Sequence, residues 1–305
     1  MKVIFGINKI KRFKRPVVAI GVFDGVHRGH RLILTQAILK AKVIKGTGIV
    51  VTFSPHPQKE ESIYSLEHRL RILSEVGIDV CIVIPFTRAF ANMSAQDFIR
   101  KILVGKIHCT HICIGKNFRF GRGGEGDVRL LKKLSQTYGF GVRAFDVKKV
   151  RGKKISSTLI RRLIAAGRLR QAQMLLSRRV SVFGTVIRGT SLATQLGYPT
   201  ANIDSHQEVI PPPGIYIVDA IVGKKKLHGV CNIGFRPTFA RRGETAGLPR
   251  VEVHIFDFKK NIYGKDIEVK FLKKIRAEKR FSSPPLLANQ IKKDIKTAKT
   301  IFSRH

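Results

Sequence analysis

Apolar positions recur along the first 180 residues in two alternating rhythms. The runs at 17–23 (VVAIGVF), 48–53 (GIVVTF), 79–86 (DVCIVIPF), 111–115 (HICIG) and 142–147 (VRAFDV) are short, rich in β-branched residues and nearly uninterrupted, as strands buried on both faces should be. Between them, RLILTQAILKAKVI, SLEHRLRILSEVG, SAQDFIRKIL and DVRLLKKLSQTYG space their apolar residues three or four apart, and Ser or Asp opens most of them in the manner of a helix cap. This alternation predicts a parallel sheet covered by helices on both faces. A further helix, STLIRRLIAAGRLRQAQMLL, closes that half. After Arg179 the rhythm changes to closely spaced strands, SVFGTVIRG, GIYIVDAIV, KLHGVCNIG, RVEVHIFDF and DIEVKFLKKI, parted by turn signals such as PPPG and KKNIYGK. That texture predicts an all-β barrel or sandwich, followed by a terminal helix in SSPPLLANQIKKDIKTAKTIF with proline in its first turn. The expected division is an α/β domain over 1–179 and a β domain over 180–305.

Composition adds limits. No apolar run reaches the roughly 18 residues of a membrane span, and MKVIFGINKIKRFKRP has no apolar signal-peptide core. The first strand is expected at Val17, which leaves little room for a removable extension, and the expectation is a cytoplasmic protein with no membrane partner. Cys81, Cys109, Cys113 and Cys231 are too few and scattered for a disulfide framework. Cys109, His111 and Cys113 would share one face of a strand, but with no second ligand pair nearby the segment reads as an ordinary apolar strand. Lys and Arg number 58 against 20 Asp and Glu, a formal charge of +38. Such a surface attracts polyanions, which admits nucleic acid, a membrane surface or phosphorylated small molecules without choosing among them.

The choice comes from GVFDGVHRGH, residues 21–30. Gly21, Gly25 and Gly29 lie where the first predicted strand hands over to the first helix, at the carboxyl edge of the sheet, where open α/β folds bind ligands. Small residues let backbone N–H groups approach an anion, and the helix start aims its unpaired donors at the same place. His27 and His30, one turn apart, add donors where phosphoryl chemistry builds charge. The pattern is HxGH, neither the dinucleotide fingerprint nor a Walker loop. The plainer reading is a Gly-rich turn with exposed histidines. ISSTLIRRLI supplies a second phosphate cradle, with Ser156, Ser157 and Thr158 as hydroxyl donors and caps and Arg161 one turn on. Two cradles in one domain suit a polyphosphate held at both ends.

GVFDGVHRGH, VTFSPHP, GKNFRFGRGGEGD and ISSTLIRRLI resemble the adenylyltransferase module of the prokaryotic bifunctional riboflavin kinase/FAD synthetase family. GYPTAN, PPPGIYIV, GVCNIGFRPTF, VEVHIFDF and IRAEKRF resemble its flavokinase module, in the same order and over nearly the whole chain. The resemblance implies a Rossmann-like nucleotidyltransferase domain followed by a small flavokinase-like β-barrel. It implies phosphorylation of riboflavin by ATP to FMN, then adenylyl transfer from ATP to FMN, giving FAD and pyrophosphate. ATP, riboflavin and FMN would be substrates, with FMN and FAD not prosthetic groups, Mg²⁺ would accompany ATP, and no specific nucleic acid is expected.

By the same resemblance, His27, His30 and Arg161 would be catalytic in the first domain, with Gly21, Phe23, Asp24, Gly25, Gly29, Ser156, Ser157 and Thr158 around ATP. Phe53, Pro55, His56 and Pro57 would line the flavin side, with Asn117 and Arg119 opposite. In the second domain Glu252 would be the base, Gly184 and Gly189 would border ATP, Thr200 and Asn202 would hold Mg²⁺ from a tight turn, and Arg276 would lie near flavin or phosphates. Alternation puts Glu252 and His254 on one strand face and Val251, Val253 and Ile255 on the other; without the resemblance, Glu252 reads as a surface carboxylate. Two positions depart from the family's pattern. Ala193 and Thr194 stand where a Gly-Arg pair is usual, so the phosphate-facing loop has less backbone freedom and one cation fewer. Gly124 stands where an arginine is usual, with Arg122 nearby. Two other readings stay open at this point: an adenylyltransferase whose β domain only binds flavin, and a basic nucleic-acid-binding protein.

Overall fold

The structure, a computed structural model, describes residues 1–57, 61–146, 149–150, 152–189, 194, 196–206, 208–235 and 249–304. It divides into two compact units, 1–159 and 160–305.

The first unit holds a six-stranded parallel sheet of β1 (Lys2–Phe5), β2 (Pro16–Ile20), β3 (Thr47–Ser54), β4 (Val80–Pro85), β5 (His111–Gly115) and β6 (Gly141–Phe145). Its order is β1-β4-β3-β2-β5-β6. From β2 the chain steps through β3 to β4 on one side, then returns to β5 and β6 on the other, so the strand order reverses between β2 and β5. A ligand crevice opens at the carboxyl end of such a switch point. Helix α1 (Arg28–Val43) lies against β2, β3 and β5 and buries Leu34, Ala37 and Ala41. The other face carries Val18, Ile20, Ile49, Val51, Ile82 and Ile112 into one core with Phe98, Ile99, Ile102 and Leu103. Those last four lie on a π-helical segment (Phe98–Val104) that continues α4 (Ala95–Asp97); α2 (Leu66–Val76), α3 (Arg88–Ala91) and α5 (Val128–Tyr138) are the other α-helices between β3 and β6. Ser65, Ser94 and Asp127 cap α2, α4 and α5 with side-chain oxygens, as the sequence signals predict.

Three sequence expectations need correction here. The first strand is not at Val17: Lys2–Phe5 already forms β1, parallel to β4, a stretch of three apolar residues too short to stand out. β2 ends at Ile20 rather than Phe23, because Phe23 takes a left-handed φ of 53° that no strand accommodates. The helix expected over 157–176 is two, α6 (Ser157–Ala165) and α7 (Leu169–Leu176), because Gly167 at φ 70° closes the first. A short hairpin, β7 (Lys149–Val150) with β8 (Lys153–Lys154), precedes α6.

The second unit contains a closed antiparallel barrel of β9 (Ser181–Ile187), β10 (Ala201–Asp204), β11 (Gly214–Val222), β12 (Lys225–Phe235), β13 (Pro249–Ile255) and β14 (Asp266–Arg276), in the order β10-β13-β12-β11-β14-β9. Val218, Cys231, Ile233, Val251, Val253 and Val269 are fully buried on alternating positions, as inward-facing barrel residues should be. Helix α8 (Pro284–Phe302) lays Ile295, Ala298, Ile301 and Phe302 over the outward residues Ile217 and Val230.

Candidate functional site

In the first unit the site is built at the carboxyl end of β2. Three of the next six residues have left-handed φ: Phe23 (53°), Gly25 (73°) and Val26 (37°). Two of them carry side chains, so the turn is strained and held from outside. Asp24, which is buried, holds it by accepting from the backbone N–H groups of Ile63 (2.9 Å) and Tyr64 (3.4 Å). Arg69, also buried, donates to the carbonyls of Val22 (2.7 Å) and Phe53 (3.0 Å), tying the loops after β2 and β3 together. Burial lowers the pKa of Arg69 from its ordinary value, and the charge of Asp24 works against that shift. Asp24, expected at ATP, is thus the strap of the turn, and Arg69 is a structural determinant with no sequence signal, because its partners are backbone carbonyls.

The turn delivers two imidazoles. His27 caps α1, its Nδ1 accepting from the backbone N–H of His30 at 3.3 Å. An accepting Nδ1 carries no proton, so the neutral ring holds its hydrogen on Nε2. His30 stacks on His27 with centroids 3.6 Å apart and meets the Phe23 ring edge-on at 5.4 Å. Gly21 lies under the Phe23 ring, and a Cβ on Gly29 would come within 3.2 Å of the His27 ring. Gly29→Ala is therefore expected to leave melting temperature unchanged or raised, since alanine favours the helix, while lowering adenylyl transfer about tenfold through a displaced imidazole; steady-state rates with FMN and ATP check this.

The second predicted cradle meets the first. The Ser157 hydroxyl donates to the Asp24 carbonyl at 3.0 Å, across 133 positions of chain. Ser156 Oγ accepts from Leu159 N–H and caps α6; Thr158 is exposed, and Arg161 follows one turn along the same helix. The start of α6, with its positive dipole end, thereby adjoins the β2–α1 turn.

The residues expected on the flavin side follow neighbouring strands of the same sheet. Phe53 is the last residue but one of β3 and is almost fully buried; Pro55, after a cis Ser54–Pro55 bond, is exposed, and His56 and Pro57 are half-buried. Asn117 and Arg119 follow β5 and are exposed, Arg119 pairing with Asp127 at 3.3 Å. Four rings not foreseen from the sequence join Phe53: those of Phe53, Phe90, Phe98, Phe120 and Phe118 follow one another at 5.7 to 6.0 Å between centroids. The alternation in NFRFG carries the signal, with Phe118 and Phe120 on the apolar side of the polar pair originally singled out. Gly124 has φ 72°, a conformation strained for any side chain, so the backbone here suits the glycine that departs from the family's arginine.

No described group of three or more His, Cys, Asp or Glu side chains is placed to hold a metal ion. Cys109 lies before β5 rather than on it, and burial pushes the thiols of Cys109 to about 12 and Cys113 to about 11.

In the second unit Glu252 stands on the outward face of β13, while Val251, Val253 and Ile255 face the core. It is registered against Asn202 on β10 and Asn232 on β12. Asn202 is therefore on a strand, not in the tight turn expected, with half-buried Thr200 just before that strand. Asn202 Oδ1 is buried and has no hydrogen-bond partner among the described residues. Gly189 lies against the Asn202 carboxamide and leaves no room for a Cβ, whereas Gly184 makes its close approach to the Asp204 carbonyl inside the barrel wall. His254 Nδ1 donates to the Pro199 carbonyl at 2.8 Å and so fixes the approach to Thr200. Arg250 donates to Glu252 Oε1 at 2.9 Å, a partner not foreseen. Arg276, expected near flavin or phosphates, grips Asp294 of α8 with its guanidinium through Nε (3.1 Å) and Nη2 (2.7 Å). Ala193 lies outside the described residues, and Thr194 is exposed.

The FAD synthetase family model matches residues 9–159 and the riboflavin kinase family model residues 176–302. The bifunctional riboflavin kinase/FMN adenylyltransferase of Escherichia coli (strain K12) is 37% identical over 313 residues, covering 99% of this chain and 98% of that protein. This chain belongs to the bifunctional riboflavin kinase/FMN adenylyltransferase family. Another family member, from Haemophilus influenzae, is 35% identical over 312 residues, covering 99% of this chain and all of that protein. A solved structure described as a macrolide-efflux protein from Streptococcus pneumoniae shares 28% identity and a TM-score of 0.84, over 98% of this chain and 99% of that one. Efflux is the description of that protein; among the described residues of this family member no helix is long and apolar enough to cross a membrane.

Proposed function

We propose that this protein phosphorylates riboflavin at its barrel unit and adenylylates the resulting FMN at its α/β unit, with activities assigned to 180–305 and 1–179 respectively. The observation that supports the second assignment is the Ser157–Asp24 hydrogen bond, which joins the start of α6 to the turn at the switch point of the sheet. There the backbone of the 21–26 turn, His27, His30 and the start of α6 hold the ATP phosphates; Arg161, next along that helix, is the further cation that the resemblance implies. An oxygen of the FMN phosphate bonds to the α-phosphorus as the α–β bridging bond breaks and pyrophosphate leaves. Positioning and charge stabilisation suffice, since no proton need be moved. Phe90 and Phe118, the half-buried rings of the aromatic chain, offer the flavin ring a surface flanked by His56 and Asn117.

In the barrel the 5′-hydroxyl of riboflavin attacks the γ-phosphorus. Its O–H proton passes to Glu252, the new P–O bond forms, and ADP departs with the bridging oxygen. The buried, unpartnered Asn202 Oδ1 and the Thr200 hydroxyl are hard oxygen donors that fit Mg²⁺. That ion, when bound, neutralises phosphate charge. A cytoplasmic setting agrees with four buried free thiols. The test is a time course with riboflavin, ATP and Mg²⁺: FMN should appear first and FAD after it. FAD formed only from supplied FMN would leave adenylyl transfer alone, and neither product would refute the assignment.

A further inference from the structure

The outward residues of the barrel form a row across neighbouring strands: Ile187, Asn202, Glu252, Asn232 and Ile215 on β9, β10, β13, β12 and β11. The kinase reading uses Asn202 and Glu252 and leaves Asn232 without a role. Asn232 is directly opposite Glu252, on the side away from Asn202. Its neighbours Cys231 and Ile233 are fully buried in the core, so its side chain shares the outward face with the carboxylate. Side chains so opposed have Cβ atoms about 4.5–5.5 Å apart, within reach of one small molecule touching both.

Asn232 Oδ1 is buried and has no hydrogen-bond partner among the described residues. A central strand favours valine or threonine at such a position, and an unmade hydrogen bond on a buried acceptor is destabilising, so a free protein gains nothing from this oxygen. Beside it are apolar walls: Ile215 on β11, and Val230 two positions back on β12, buried under α8. The oxygen therefore marks the border between an apolar surface and the base. A carbonyl oxygen only accepts, so its ligand must donate. The phosphoryl acceptor of this reaction is a polyol attached to an apolar ring, and a hydroxyl near the reacting one spans to the next strand, about 4.7–4.9 Å away.

We propose that Asn232 binds a second hydroxyl of the ribityl chain and so sets the alcohol specificity of the kinase. The inference rests on the kinase reading. The row then has an order: phosphates and cation at Asn202, proton acceptor at Glu252, polyol at Asn232, with phosphoryl donor and acceptor on opposite sides of the base.

The test uses the full chain with Asn232→Val, riboflavin, and a flavin carrying a 5-hydroxypentyl chain, which keeps the ring and the terminal hydroxyl and lacks the others. The KM for riboflavin should rise about tenfold to a hundredfold, with the KM for ATP unchanged. On the hydroxypentyl flavin, wild type and variant should have equal kcat/KM. Melting temperature should hold or rise, because the orphan oxygen is gone, and FAD formation from supplied FMN should be unaltered. If Asn232→Val does not fold, Asn232→Thr is read in the same way, with a smaller rise. An unchanged riboflavin KM, or an equal loss on both flavins together with a lowered melting temperature, overturns the inference and leaves the kinase standing. A wild-type chain that phosphorylates neither flavin overturns the kinase reading, and this inference with it.

Discussion

His30→Ala is expected to lower FAD formation from FMN and ATP about 10²- to 10³-fold, while riboflavin phosphorylation continues at the wild-type rate. The His30 ring is held between the His27 face and the Phe23 edge, in a turn whose backbone is fixed by Asp24 and Arg69. A donor set in advance at the place where charge builds up is worth far more than one that must be ordered during the reaction. The variant is preferable to His27→Ala, because the bond between His27 Nδ1 and the residue-30 backbone N–H survives and α1 keeps its cap. His27→Ala would lose that cap as well, a cost of about 1 kcal/mol in stability. Initial rates of the two half-reactions, each started from its own flavin, separate the outcomes. Loss of both activities in a folded His30 variant would contradict two independent sites.

Glu252→Gln should produce the mirror image. Kinase kcat is expected to fall about 10²- to 10⁴-fold, with FAD formation from supplied FMN intact. The substitution keeps shape, and the glutamine oxygen still accepts from Arg250, so the loss reports the proton acceptor rather than the strand. Val251 and Val253 stay in the core on either side. With riboflavin as the only flavin, the variant should make almost no FAD, and added FMN should restore it; FAD output from riboflavin at the wild-type rate would remove Glu252 from the chemistry.

The alternation of strands and helices, the caps at Ser65 and Asp127, and the outward face of Glu252 were all legible, because each is a local periodicity or a cap within one turn of its helix. The strand-to-helix turn of the candidate site was legible for the same reason: GVFDGVHRGH carries its glycines and imidazoles in one stretch. What local pattern does not carry is the partner of a polar group. Nothing near Arg69 says that it will bind carbonyls 16 and 47 positions away, or near Arg276 that an aspartate 18 positions on will claim it. β10 escaped notice because four residues between a proline-containing turn and a polar loop give alternation too little length. The rings beyond Phe53 were not foreseen because Phe90, Phe98 and the Phe118–Phe120 pair come from separate segments and meet only when the sheet has formed.

The Arg276–Asp294 grip has a consequence for how the protein comes to be. Arg276 ends the last barrel strand, is only 15% exposed, and finds its counter-ion in a helix made afterwards. A nascent chain with all six strands outside the ribosome would leave Arg276 without this carboxylate and the apolar residues Ile217 and Val230 without their cover, and apolar surface left in water is unfavourable. The kinase half should therefore mature in a single late step, when residues 284–302 emerge, whereas the sheet of the first unit can be complete well before.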